Sequence, residues 1–154
     1  MDLSDLLTPD SVIARLKVAT KKQALQELAS LAARRVRMDE RVIFDTLLER
    51  ERLGTTGVGR GVAIPHGKLA GLKQLHGFFA RLEQPIDFDA IDGLPVDLIF
   101  VLLAPESAGA DHLKALARIS RLMRNAPMCE RLRATDNADA LYALLTGSTA
   151  SHAA

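Results

Sequence analysis

Val96-Asp97-Leu98-Ile99-Phe100-Val101-Leu102-Leu103 is apolar at every position but one. A half-exposed strand alternates apolar and polar residues, so a run without alternation reads as a central strand covered on both faces. Two covered faces require helices on both sides of the sheet, and helical spacing is found on both flanks. Upstream, Thr20 opens a capping box with Gln23, and Leu25, Leu28, Ala29, Ala32 and Val36 follow at helical intervals, which predicts a helix from about Lys21 to Arg35. A second helix, from about Asp39 to Arg52, buries Val42, Ile43 and Leu47, and Arg50 extends that stripe. Downstream, Asp111 opens a helix to about Arg124 with His112, Leu116, Ile119 and Met123 on one face and Lys114, Arg118 and Arg121 on the other. A last helix, about Asp136 to Leu145, packs Leu141, Leu144 and Leu145. Strands are expected at Val12–Val18, Val62–Ile64 and Leu75–Leu82, the last with Phe78, Ala80 and Leu82 on one face and Phe79 and Arg81 on the other. Leu3 to Pro9 reads as an arm or short turn. The pattern is that of an α/β domain.

Composition narrows the function classes. The 154 residues suffice for one domain with a single core. A net charge of +1, from 20 basic and 19 acidic residues, points to neither a nucleic acid nor a membrane surface. One cysteine, Cys129, excludes an internal disulfide and a thiolate metal cluster, and reads as a buried or half-buried helix residue. The start, Met1-Asp2-Leu3-Ser4-Asp5, lacks the basic and apolar regions of a signal peptide, and the longest apolar run, Leu98 to Ala104, is too short to span a bilayer. A cytoplasmic location without membrane insertion is therefore expected.

The chemistry concentrates in Gly54-Thr55-Thr56-Gly57-Val58-Gly59-Arg60-Gly61-Val62-Ala63-Ile64-Pro65-His66-Gly67-Lys68. Glycines at 54, 57, 59 and 61 imply a backbone bent close to something, and exposed amides around them can form an anion-binding nest. Pro65 has a fixed φ and no amide donor, so the strand Val62–Ile64 is expected to end there, leaving His66 at its tip. An imidazole with a pKa of about 6.5 is largely neutral near neutral pH, so one ring nitrogen can attack while the other donates a hydrogen bond. The bland alternative is a glycine-rich turn with a surface histidine. The Gly-x-Gly-x-Gly lacks the Gly-Lys-Ser/Thr ending of a nucleotide P-loop.

Two further residues carry paired readings. Arg50, just before the glycines, could present its rigid fork of donors to a phosphate, or be surface charge in the run Glu49-Arg50-Glu51-Arg52. His112 points inward at a helix start and is either a site residue or a core histidine satisfied by one hydrogen bond. The carboxylates of Asp87, Asp89 and Asp92 alternate with Ile and Phe in a way that favours strand or loop chemistry over a metal site.

The string Gly-Arg-Gly-Val-Ala-Ile-Pro-His-Gly-Lys at 59–68, the segment Pro85-Ile-Asp-Phe-Asp-Ala-Ile-Asp-Gly-Leu-Pro-Val-Asp-Leu-Ile-Phe-Val-Leu-Leu103 and Asp111-His112-Leu113 together resemble the fructose/mannitol-type enzyme IIA family of the bacterial phosphotransferase system. The likeness runs from about Leu3 to Leu145 and is greatest to the nitrogen-regulatory branch. It implies a mixed five-stranded sheet with helices on both faces, in a domain over residues 1–147 followed by a disordered tail, 148–154. It implies His66 as the phosphorylated nucleophile, His112 and Arg50 as its active-site partners, and Thr55, Thr56 and Gly57 as a phosphate-binding loop. Arg60 stands where relatives can have a neutral residue. The implied partner is an HPr-like phosphocarrier, with regulatory targets such as potassium transport proteins or sensor kinases, or alternatively a sugar-specific IIB. Neither metal nor cofactor is implied, because a phosphohistidine donor is already activated.

Overall fold

The apolar run becomes β6 (Val96–Pro105), and every residue from Leu98 to Ala104 is fully buried. Leu98, Phe100 and Leu102 face one core, while Ile99, Val101 and Leu103 face the other. The computed structural model, which describes residues 2–147, orders the mixed sheet β1-β5-β6-β3-β2, with β4 also on β6. β1 (Val12–Leu16) runs parallel to β5 (His76–Ile86), which is antiparallel to β6. On the other edge of β6 lie β3 (Val62–Ala63) and β4 (His66–Leu69), both parallel to it, and β2 (Gly57–Gly59) closes a hairpin onto β3. The expected tail, 148–154, lies outside the described residues.

The sheet therefore has six strands where five were expected, and Pro65 is the reason. Val62 and Ala63 pair with Leu98 and Ile99, and His66 and Gly67 pair with Leu102 and Leu103 in the same register. One strand line is interrupted where proline has no N–H for the ladder, and it resumes at once. The Pro65 carbonyl still accepts from Leu102 N at 3.0 Å, which holds the register across the gap. His66 thus opens a second strand instead of tipping the first.

Helices cover both faces, each fixed by local chemistry. α1 (Lys21–Val36) starts at Thr20, whose hydroxyl accepts from Gln23 N, and ends at Arg37 in the left-handed region. α2 (Glu40–Leu53) starts at Asp39, whose carboxylate accepts from Arg41 N at 2.8 Å. Both pack on the face made by Phe78, Ala80, Leu82, Ile99 and Val101. α3 (Ala110–Met123), α4 (Ala126–Arg133) and α5 (Ala138–Thr146) cover the other face, where Phe79 meets Phe100 edge-on with ring centroids 6.3 Å apart. α4, only two turns long, was given no bounds from the sequence beyond the reading of Cys129 as a helix residue; Asn125 caps it through Met128 N and Pro127 sits in its first turn. Cys129 is buried within it. The N-terminal arm forms two single-turn 3-10 helices, Leu3–Asp5 and Pro9–Ser11, and buries Leu3, Leu6 and Leu7. Among the described residues no helix is long and apolar enough to cross a membrane.

The glycines of the hairpin are explained by its packing. A Cβ at Gly57 would stand 2.9 Å from Ala90 Cα, and one at Gly61 would stand 2.5 Å from Arg133 Nη2 and 3.0 Å from Asp97 Oδ1. Gly61 also has φ +81, whereas Gly71, at φ +86, has open space around it. Gly71→Ala should therefore cost only backbone strain of about 1–3 kcal/mol. Gly61→Ala should cost more, because the Arg133–Asp97 pair must move as well. Urea unfolding of the two variants tests this, and equal losses would contradict the packing account.

Candidate functional site

The pairing of β4 with β6 puts His66 at a sheet edge, between the end of α2 and the start of α3. Gly67, the next residue, lies under α2, where a Cβ would come within 2.7 Å of Thr46 Cγ2, so glycine permits the close approach of helix and strand. An open cleft of about 600 Å³ results, lined by His66 and His112 with Arg50, Arg52, Lys68 and a single carboxylate, Glu49. Strand alternation places Lys68 on the same side as His66, a relation the sequence contained but from which no role was drawn. The surplus of cations makes this a place for an anion.

His66 is half-buried, and its Nδ1 lies 2.8 Å from the carbonyl oxygen of Ile64. A carbonyl only accepts, so Nδ1 carries the proton and, in the neutral ring, Nε2 keeps its lone pair. Burial is the main influence holding the His66 pKa below the ordinary histidine value; the Ile64 hydrogen bond opposes it, and the Arg50 charge reinforces it. His112, in the first turn of α3, is 8% exposed and sits edge-on to His66 with ring centroids 5.8 Å apart. Burial, then His66 and Lys68, push its pKa down too. Its Nε2 is buried without a hydrogen-bond partner, the single such side-chain atom among the described residues. A buried polar atom left unpaired is costly, and the residue that carries it lines the cleft.

Arg50 lies in the last turn of α2 and is half-buried, with its Nη1 donating to Gly54 O at 2.9 Å. The buried stripe Ile43–Leu47 runs on to Glu51, whereas Arg50, which helical spacing allows on the same face, is only half-buried. Glu51 was missed as a functional candidate because it stands inside a charged run. The remaining expected residues lie elsewhere. Thr55, Thr56 and Gly57 are not among the cleft lining, and four of their donors are engaged within the chain. Thr55 Oγ1 donates to Phe88 O, Gly57 N to Thr55 Oγ1, and both Thr56 N and Thr56 Oγ1 to the Glu51 carboxylate. Arg60 is at the hairpin turn, its amide given to Asp92 Oδ2 at 2.8 Å. Among the described residues no group of three or more His, Cys, Asp and Glu side chains is arranged to hold a metal ion.

Comparison with known proteins agrees with this geometry. Residues 5–148 match the family described as "Phosphoenolpyruvate-dependent sugar phosphotransferase system, EIIA 2". A nitrogen regulatory protein of Bradyrhizobium diazoefficiens is 58% identical over 145 residues, covering 94% of this chain and 95% of that protein. A fructose-specific EIIA component of Haloferax volcanii is 40% identical over 136 residues, covering 86% and 88%. The crystal structure of nitrogen regulatory protein IIA-Ntr from Neisseria meningitidis superposes with a TM-score of 0.89 at 38% identity, covering 94% of this chain and 99% of that one. A cationic cleft around two facing histidines, on a fold and sequence shared over nearly their whole length with these proteins, places the chain in the EIIA 2 family of the phosphoenolpyruvate-dependent sugar phosphotransferase system.

Proposed function

We propose that the chain relays a phosphoryl group through His66 and that the two forms of this residue act as a regulatory switch. The observation that carries the reading is the hydrogen bond from His66 Nδ1 to Ile64 O, which leaves Nε2 as the nucleophile toward the cationic cleft. The donor is the phosphohistidine of an HPr-like carrier. Nε2 forms a bond to phosphorus as the carrier's N–P bond breaks, and that bond's electron pair returns to the carrier's ring. The product ring becomes more positive, so its Nδ1–H binds the Ile64 carbonyl more strongly and steadies the phosphorylated state.

Phosphoryl transfer needs alignment and charge stabilisation more than covalent help. Arg50 and Lys68 supply positive charge around the moving group, and a neutral His112 can turn its unpartnered Nε2 into a donor to a phosphoryl oxygen. A cytoplasmic location follows from the need to meet such a carrier. Phosphate adds roughly one and a half to two negative charges to this surface, enough to repel one partner or attract another. The name borne by the 58% identical relative, nitrogen regulatory protein, favours regulation, and the targets proposed for this chain are potassium transport proteins or sensor kinases. The 40% identical fructose-specific component favours a second reading, in which His66 passes its phosphate to a sugar-specific IIB.

Incubation with phosphoenolpyruvate, enzyme I and an HPr-type carrier should add one acid-labile phosphoryl group to the intact mass of the wild type and none to His66→Ala. Labelling of the variant would dismiss His66. Because burial and Arg50 hold the His66 pKa down, the acceptance rate should stay level from pH 8 to about 6.5 and fall only at lower pH, as Nε2 is protonated. A rate already falling between pH 8 and 7 would contradict the neutral nucleophile. Pull-downs with the phosphorylated protein and with His66→Ala should recover different partners, and identical sets would remove the switch.

A further inference from the structure

Glu51 is a buried carboxylate that the relay chemistry does not touch. Its side chain is 2% exposed, yet it takes part in three interactions: Oε1 accepts from Lys21 Nζ at 2.8 Å and from Thr56 N at 3.1 Å, and Oε2 accepts from Thr56 Oγ1. Lys21 also lies over the Phe88 ring, 4.8 Å from its centroid, which helps to hold it inside. Thr56 is itself buried, and its carbonyl accepts from Ile64 N at 2.9 Å. The Ile64 carbonyl is in turn the acceptor for His66 Nδ1. An unbroken path of hydrogen bonds and one peptide unit after another therefore runs from Glu51 through Thr56 and Ile64 to the imidazole. A second path is shorter: Glu51 clamps the turn 54–56, and the carbonyl of Gly54 in that turn holds the guanidinium of Arg50.

We infer that Glu51 is a positioning residue for the site, fixing the His66 ring through Thr56 and Ile64 and the Arg50 fork through the turn at Gly54. This deepens the relay reading and rests on it. The competing account is a structural staple, since Glu51 with Lys21 also ties the start of α1 to the end of α2. The two accounts predict different outcomes when both charges are removed. A buried ion pair is often replaceable by neutral groups of similar volume without loss of stability, whereas removing one partner leaves an uncompensated charge. A staple is thus restored by neutralising both ends, and a positioning residue is not.

The charged and titratable groups around His66 are Glu49, Arg50, Glu51 and Arg52 from α2, Lys68 from β4 and His112 from α3. The Glu51 charge holds the His66 pKa up against Arg50, so its loss should move the His66 titration to lower pH. The test compares wild type, Glu51→Gln and Lys21→Met/Glu51→Gln by nitrogen-15 NMR of the histidine rings, thermal melting, and the rate of phosphoryl acceptance from a phosphorylated HPr-type carrier. Both variants should show a mixed His66 tautomer, an acid-shifted titration and a rate lower by about tenfold to a hundredfold, the scale expected for small misplacements. The double variant should at the same time melt near the wild type. Wild-type tautomer, titration and rate in Glu51→Gln would overturn the inference, and so would their return in the double variant together with its stability. If Glu51→Gln alone does not fold, the double variant decides. The ring measurement needs no carrier, so a wild type that accepts no phosphate would strike the relay reading while the tautomer still judged Glu51.

Discussion

A proline in the path of a strand sets the conditions for everything around His66. Pro65 has no N–H to give to β6, and the line of pairing breaks for two residues before it resumes in register. On either side of the break the backbone is still fully used: Ile64 N is bonded to Thr56 O, and Pro65 O to Leu102 N. What the break leaves over is the carbonyl of Ile64, which accepts from the His66 ring. The His66 ring is therefore oriented by main chain belonging to the same sheet that presents it. Side chains alone would have had to spend rotamer freedom to do the same.

In the cleft the influences that keep the histidines neutral outweigh the Ile64 hydrogen bond and the Glu51 charge, which oppose them at His66. Burial withdraws solvation from a charged imidazolium, and the cations Arg50 and Lys68 repel it, so both histidines are held neutral. A neutral ring keeps the Nε2 lone pair and leaves the surrounding cations free for an anion. The cost falls on the acid side. In the unfolded chain these rings regain the ordinary pKa of about 6.5 and bind protons that the folded state resists, so the stability they contribute above that pH is lost as pH falls below it.

Much of this was legible in the sequence because it depends on local pattern. The unbroken apolar run 96–103 announced a strand with helices on both sides, and Thr20 and Asp39 marked helix starts through hydroxyl and carboxylate caps. Arg50, His66 and His112 do line one cleft, although 62 residues separate the first from the last. What was not legible depends on contacts made across the chain. β4 exists because β6 lies beside it, α4 is too short to show a period, and the burial of Glu51 depends on Lys21 and Thr56 arriving from other elements.

The glycine-rich segment shows how one composition can serve opposite ends. In a nucleotide P-loop glycines free the main-chain amides to cradle phosphate. Here the amide of Gly57 bonds to Thr55, that of Arg60 to Asp92, and the glycines themselves make room for Ala90, Asp92 and the Arg133–Asp97 pair. The hairpin is packed shut. Donors for an anion in the cleft come instead from side chains carried by three separate elements, Arg50 on α2, Lys68 on β4 and His112 on α3. A cradle of amides keeps its shape through one loop, but a constellation of side chains keeps its shape only as well as its elements are docked. For the proposed relay, the interior contacts joining α2 to the β2–β3 hairpin are then part of the chemistry, a role that fits a carboxylate, a lysine and a threonine kept together in the interior instead of apolar residues.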